Sequence, residues 1–307
     1  MNIKGFTFAP FAPKGTLEKE EAKVSLREMI RNTGSNTVLL APAAFQDTPQ
    51  SIFIDYKSND TLSDDEIMRF FEYAQSLGLK TILKPTVNCK NGTWRAHINF
   101  FDEDVPCEPK WSEWFEAYTE FQMHFAALAQ KVGTDIFIPG CEMVQTERRE
   151  KEWRRLISDL RTEYHGPITY NTDKYQEHNV KWWDCVDMIS SSGYYPIGSW
   201  EEQLDRIEAV VKKFEKPFFF AESGCMALKG SSKIPNNWGL AGDYAPEEQA
   251  SWYKDMLSSC RKRDWIDGIV FWSWTGRLPE ENDIEKHRDY DVFGRDAEKV
   301  VKEYFGE

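Results

Sequence analysis

Eight short runs of β-branched, aliphatic or aromatic residues recur along this chain, each followed by a longer amphipathic segment, with no Gly- or Pro-rich linker between them. The runs cover 3–8, 37–40, 80–84, 136–139, 168–171, 188–191, 218–221 and 268–272. The predicted helices lie near 17–32, 63–77, 111–132, 147–164, 179–184 (short), 199–214, 246–262 and 295–305. Regular alternation of strand and helix implies parallel strands joined by helical crossovers. Eight such units in a row favour a closed barrel over an open doubly wound sheet. The length of 307 residues fits one barrel, which needs roughly 250 residues before insertions. The expected fold class is therefore α/β, a (β/α)8 TIM barrel, with 1–307 as a single domain.

Local chemistry supports the helix boundaries. Ser63-Asp-Asp-Glu66 reads as a capping box, and Pro246-Glu-Glu starts a helix with Pro in its first turn and acids at the positive dipole end. Gly78, Gly133 and Gly166 stand where a left-handed residue is expected after the second, third and fourth helices. The long connections 85–110 and 223–245 follow the third and seventh strands, which places them on the C-terminal face where barrels build their sites.

Composition narrows the function. A formal net charge of -13 with no Lys/Arg run argues against a nucleic-acid partner. The six cysteines form no C-x-x-C pair and no cluster with His at metal-site spacing, so reduced thiols and no metal are expected. There is no H-E-x-x-H, no G-x-G-x-x-G and no P-loop, so no cofactor is expected. The N-terminus shows no leader and no run approaches the roughly 20 apolar residues of a membrane span, which points to a soluble cytoplasmic protein with no membrane partner. Twelve Trp, twelve Tyr and twenty Phe exceed what an aliphatic-filled core needs, and flat apolar rings suit the C–H faces of sugars.

Two glutamates end apolar runs: Glu142 in Ile136-Phe-Ile-Pro-Gly-Cys-Glu142 and Glu222 in Pro217-Phe-Phe-Phe-Ala-Glu222. Either alone reads as readily as a helix cap or the partner of an Arg. Together, after the fourth and seventh strands, they face one cleft, and a carboxyl pair about 5–5.5 Å apart performs retaining glycoside hydrolysis.

The arrangement resembles the clan A glycoside hydrolases, and the local text resembles glycoside hydrolase family 113, whose known members are β-1,4-mannanases. The segments are Leu83-Lys-Pro-Thr-Val-Asn88 with Gly92-Thr-Trp-Arg-Ala-His-Ile98, Gly140-Cys-Glu-Met143, Trp153-Arg-Arg-Leu-Ile157, Gly166-Pro-Ile-Thr-Tyr-Asn171, Gly193-Tyr-Tyr-Pro196, Phe220-Ala-Glu-Ser-Gly224 and Phe271-Trp-Ser-Trp274. The resemblance implies a single catalytic barrel acting on an oligosaccharide, with Glu142 as acid/base and Glu222 as nucleophile. It also implies a Trp platform beneath the sugar at subsite -1, a role that falls to Trp272, while Trp274 is equally a packing residue. One departure stands out: clan A enzymes mostly carry Asn before the acid/base, where its side chain meets the sugar 2-hydroxyl, and this chain has Cys141.

Further residues are expected at the cleft. Tyr194, just after the sixth strand, is the expected donor to Glu222, with Tyr195 as its fallback. Lys84, Asn88, Arg95 and His97 are expected to bond sugar hydroxyls beyond the scissile bond, Trp94 to stack a sugar ring, and Asn171 to reach the same cleft from the fifth strand. Arg148, Arg149, Arg154 and Arg155, interleaved with Glu150 and Glu152, read as a solvated, salt-bridged helix face. The expected activity is retaining hydrolysis of β-1,4-mannosidic bonds. The alternatives are β-xylan or β-glucan specificity, and a sugar-binding barrel without turnover.

Overall fold

In a computed structural model, which describes residues 2–306, eight parallel strands form the inner wall: β1 (Ile3–Phe8), β2 (Thr37–Leu40), β4 (Lys80–Leu83), β6 (Ile136–Phe137), β7 (Asn171–Thr172), β8 (Ile189–Ser192), β9 (Phe218–Glu222) and β10 (Ile266–Trp274). They follow the order β6-β4-β2-β1-β10-β9-β8-β7. The wall closes where β6 meets the approach to β7, through the parallel bridges Phe137–Ile168 and Cys141–Asn171. At that seam the Glu142 amide donates to the Asn171 carbonyl at 2.7 Å and the Asn171 amide to the Gly140 carbonyl at 3.1 Å. The residue ending the fourth unit is thus held by the barrel's own closure.

Side-chain alternation sorts the apolar residues into two layers. Ile3, Leu39, Ile82, Ile138, Phe219 and Val270 fill the interior of the barrel. Their neighbours Phe6, Val38, Leu83, Phe137, Phe218 and Phe271 face outward into a second core beneath the helices. Those helices are α1 (Glu20–Thr33), α2 (Asp64–Ser76), α3 (Trp111–Val132), α4 (Glu150–Glu163), α5 (Trp200–Phe214), α6 (Pro246–Cys260) and α7 (Asp296–Phe305). Among the described residues, no helix is long and apolar enough to cross a membrane.

The short helix expected at 179–184 is instead a single 3-10 turn, Trp183–Cys185. Trp182 and Trp183 are both fully buried, each committed to a backbone carbonyl of another segment. Their indoles donate to the carbonyls of Glu147 at 3.1 Å and Glu177 at 2.8 Å, and Trp182 stacks on Trp153 at 4.8 Å.

Two strands were not expected: β3 (Ala43–Gln46) and β5 (Thr86–Cys89) pair in parallel beyond the ends of β2 and β4. Pro42 and Pro85 lie at the break, where a residue without an N–H interrupts the ladder. The pairing then resumes with the Thr86 amide on the Pro42 carbonyl at 2.9 Å. The first part of the expected 85–110 loop is therefore a rigid extension of the third unit.

Gly78 and Gly133 take the left-handed conformation expected of them, whereas Gly166 does not. Helix α4 ends in an extended Tyr164, and Gly166 is required for space: a Cβ there would lie 2.3 Å from the Tyr164 hydroxyl. The Ser63–Glu66 capping box forms, and the Glu66 carboxylate reaches further, accepting the Gly15 amide at 2.7 Å and the Leu17 amide at 3.3 Å. Burial pushes this carboxyl up, but the backbone donors of Gly15 and Ser63 outweigh it and hold it below the ordinary range. The stability it contributes is present above the unfolded carboxyl value and is lost as pH falls through the lower folded value. Glu66→Gln should lower unfolding free energy by about 1–2 kcal/mol. Urea titrations at neutral and acidic pH check both points, because the deficit of the variant should shrink as the parent protonates.

Candidate active site

Glu142 leaves the fourth unit in the left-handed region, with φ of 53°, a conformation that a Glu adopts only where the surroundings impose it. Gly140 lets the chain pass against Trp153 and Tyr170, whose rings a Cβ would meet at 2.8 Å. The Tyr170 hydroxyl then accepts the Met143 amide at 3.0 Å, fixing the turn from both sides. The Glu142 carboxyl is buried and has a donor on each oxygen: Ser192 Oγ at 2.7 Å on Oε1 and Trp94 Nε1 at 3.2 Å on Oε2.

Glu222 ends β9 with equally specific partners. Lys84 Nζ lies 2.8 Å from Oε2 and the Tyr194 hydroxyl 2.7 Å from Oε1. Lys84 has no solvent exposure and also reaches Asn171 Oδ1 at 3.1 Å and the Ala221 carbonyl at 3.3 Å. Asn171 Nδ2 donates in turn to Ser192 Oγ at 3.0 Å. A single hydrogen-bonded chain, Glu222–Lys84–Asn171–Ser192–Glu142, therefore links the two carboxyls.

The electrostatics separate the pair. Burial, and next the nearby charge of Glu222, push the Glu142 carboxyl above its ordinary value. Burial pushes Glu222 the same way, but the Lys84 cation in contact with it, the Arg95 guanidinium and the Tyr194 hydrogen bond outweigh that and bring it below. Burial works against the charge on Lys84, and the acidic groups around it, Glu222 among them, more than restore it. The two carboxyls are thus shifted in opposite directions, the division that acid/base pairs exploit. Cys141 is buried, its thiol pushed up to about 12 by burial, and its Sγ lies 3.6 Å from Glu222 Oε2. It is a buried packing group beside the carboxylate.

Most of the expected residues gather here, some in different positions. Lys84 does not face sugar hydroxyls from the loop; it is enclosed by Glu222 and Asn171 and acts as the charge partner of the carboxylate. Trp94 bonds Glu142 directly. Asn88 belongs to β5 and is half-buried, and His97 is exposed, with its ring edge-on to Trp94 at 6.1 Å. Trp272 is half-buried beside the cluster of Tyr194, Met226, Leu228 and Tyr290, with Phe11 edge-on at 5.6 Å.

Two expectations are corrected. Trp274 has no exposure, packs on Phe6 and Phe293, and donates its indole N–H to Ser25 Oγ at 3.0 Å; the β1–β10 register shifts between the pairs Thr7–Trp272 and Phe8–Trp274, which takes it off the inward side it would share with Val270 by strict alternation. Tyr195 points away from Glu222 and donates to Glu177 at 2.7 Å beside Arg206, because consecutive residues leave the strand on opposite sides. Ser192 was not among the expected residues, although three successive serines in a buried strand are a visible anomaly. Among the described residues no group of three or more His, Cys, Asp or Glu is placed to hold a metal ion.

The profile of Glycoside Hydrolase Family 113 matches residues 6–295. The chain belongs to that family. A solved GH113 β-1,4-mannanase is 53% identical over 100% of both chains, with a TM-score of 0.98. A GH113 β-mannanase from Alicyclobacillus acidocaldarius, in complex with ManMIm, is 38% identical over 99% of this chain and 97% of that one, with a TM-score of 0.95. A β-D-glucuronidase from Dictyoglomus thermophilum, 16% identical with a TM-score of 0.67, shares the fold; this chain covers 50% of its length. A comparison with curated proteins finds no match.

In this GH113 chain the Tyr194 hydroxyl favours the charged form of Glu222. Tyr194→Phe should therefore raise the Glu222 pKa and move the acidic limb of the pH–rate profile to higher pH, with a fall in kcat of at least about tenfold. Tyr195→Phe should leave that limb in place and lower thermal stability, because it removes the donor to buried Glu177. Paired pH–rate profiles and melting curves check both.

Proposed function

We propose that this protein is a retaining β-1,4-mannanase, with residues 1–307 acting as one catalytic domain on manno-oligosaccharides or mannan. The observation that carries the reading is the full-length 53% identity to a GH113 β-1,4-mannanase, joined to two buried carboxyls whose environments shift their proton affinities in opposite directions. Glu142 would donate its proton to the glycosidic oxygen as the C1–O bond breaks, while the Glu222 carboxylate attacks C1 and forms a glycosyl ester. Glu142, now ionised, would take a proton from water as that water attacks C1 and releases Glu222.

The chain's other residues support these steps. Lys84 and Tyr194 keep Glu222 ionised in a site partly closed to water, and Arg95 adds positive charge toward both carboxyls. Ser192 can rotate its hydroxyl from donor to acceptor as Glu142 gains and loses its proton. Trp272 provides an apolar face for the sugar at the reaction centre. The Asn found before the acid/base in most clan A enzymes is absent, and the polar groups available near that position are Asn171 and Arg95.

Two experiments test the proposal. A panel of β-1,4-linked manno-, xylo- and gluco-oligosaccharides should show turnover of the manno series at least tenfold above the others; turnover of none would leave a binding protein. Glu142→Ala should slow substrates with poor leaving groups far more than activated aryl mannosides, because a good leaving group departs with little protonation, while Glu222→Ala should abolish both. Equal losses across leaving groups would overturn the assignment of roles.

A further inference from the structure

Glu147 is a buried glutamate, 3% exposed, to which the proposed reaction gives no task. It closes the short 3-10 turn Val144–Thr146 that leads away from Glu142, and its own carbonyl takes the Trp182 indole N–H at 3.1 Å. One oxygen of its carboxyl, Oε1, accepts two hydroxyls, Tyr170 at 2.8 Å and Thr172 at 2.7 Å. Among the described residues Oε2 is buried with no hydrogen-bond partner. Burial, with the charges of Asp173 and Glu177 adding to it, pushes the carboxyl up to about 8 against the pull of the two hydroxyls.

Those hydroxyls belong to the residues on either side of Asn171. Alternation turns them outward, Tyr170 into the outer core, while Asn171 faces inward to Lys84 and Ser192. The Asn171 carbonyl receives the Glu142 amide at 2.7 Å, and the Tyr170 hydroxyl receives the Met143 amide at 3.0 Å. A phenol has a single proton, so Tyr170 accepts from Met143 and donates to Glu147. The segment 142–147 is thereby fastened to 170–172 at both of its ends. The left-handed turn at Glu142, with φ of 53°, lies inside that clasp.

We propose that Glu147 is a positioning residue for the acid/base: through the Tyr170 hydroxyl and the Met143 amide it fixes the turn that aims the Glu142 carboxyl at the glycosidic oxygen. This rests on the assignment of Glu142 as proton donor. The donor must come within hydrogen-bond reach of the departing oxygen, and a misplacement of about 1 Å costs on the order of a hundredfold in rate. Glu147 bonds the outward face of the strand and meets no sugar, so its loss impairs proton delivery and spares the attack by Glu222.

Two substrates separate these steps: mannohexaose, whose leaving group is a sugar hydroxyl, and dinitrophenyl β-mannobioside, whose leaving group departs with little protonation. Glu147→Ala should lower kcat/KM on mannohexaose about tenfold or more, and on the aryl glycoside less than about twofold. Glu147→Gln keeps an oxygen where the two hydroxyls point and should recover most of the loss. Tyr170→Phe breaks the same link at its middle, should show the same selectivity, and carries the test if Glu147→Ala does not fold. The double variant should cost no more than the larger single loss, because both changes cut one connection. Equal losses on the two substrates, or no loss, in Glu147→Ala and Tyr170→Phe would overturn the inference, since a purely structural role predicts no selectivity. Glu142→Ala measured alongside separates the two readings: if it is selective and the others are not, this inference alone fails, and if it is not selective, the acid/base assignment fails and this inference with it.

Discussion

A lysine with no exposure to solvent lies 2.8 Å from a carboxylate in the mouth of this barrel. Desolvating either ion alone would cost several kcal/mol, and the pair is tolerable only because each finds further hydrogen-bond partners. Lys84 has Asn171 and the Ala221 carbonyl; Glu222 has Tyr194. Four strands are therefore bound to one electrostatic arrangement: the end of β4 with its lysine, β7 with Asn171, β9 with Glu222, and the segment after β8 with Tyr194. Such an ion pair is weak evidence for stability, but it keeps a carboxylate charged where water is scarce.

The same network explains how two identical side chains differ. Glu142 has neutral donors only in direct contact, Ser192 and Trp94, so burial dominates and its proton is retained to higher pH. Glu222 has a cation at contact distance, so burial is overcome. Ser192 and Asn171 join the two sites without a direct carboxylate contact. The strained backbone of Glu142 belongs to this picture, since the closing bonds to Asn171 over-determine its position.

The scaffold accounts for the rigidity of these positions. The ends of β2 and β4 continue past Pro42 and Pro85 into a second small sheet, which stiffens the loop carrying Trp94 and Arg95. On the opposite side, Tyr290 ties the Tyr194 cluster to Pro235 in the loop after the seventh strand. Catalytic groups on strand ends and aromatic groups on pinned loops are how a barrel combines a fixed reaction centre with an adaptable rim.

The sequence alone determined the barrel, most of its strand and helix positions, and both carboxylates, because hydrophobic periodicity and a polar residue at a strand end are local signals. Tyr194 was legible for the same reason, as a hydroxyl two residues beyond the strand that neighbours the one ending in Glu222. Local signals failed where neighbours distant in the chain compete for one residue. The helix expected at 179–184 gave way to the burial of Trp182 and Trp183, and the small sheet of β3 and β5 needed two segments some forty residues apart to meet. Trp274 and Tyr195 read as site candidates until a register shift at the end of β10 took the first to the outer core and alternation after β8 took the second. Lys84 read as a sugar contact until the closed barrel enclosed it against Glu222. Only the tertiary structure could decide which face each of these side chains takes and which charge it meets, because burial and Coulomb interaction depend on distance in space, and the order of residues along the chain does not supply it.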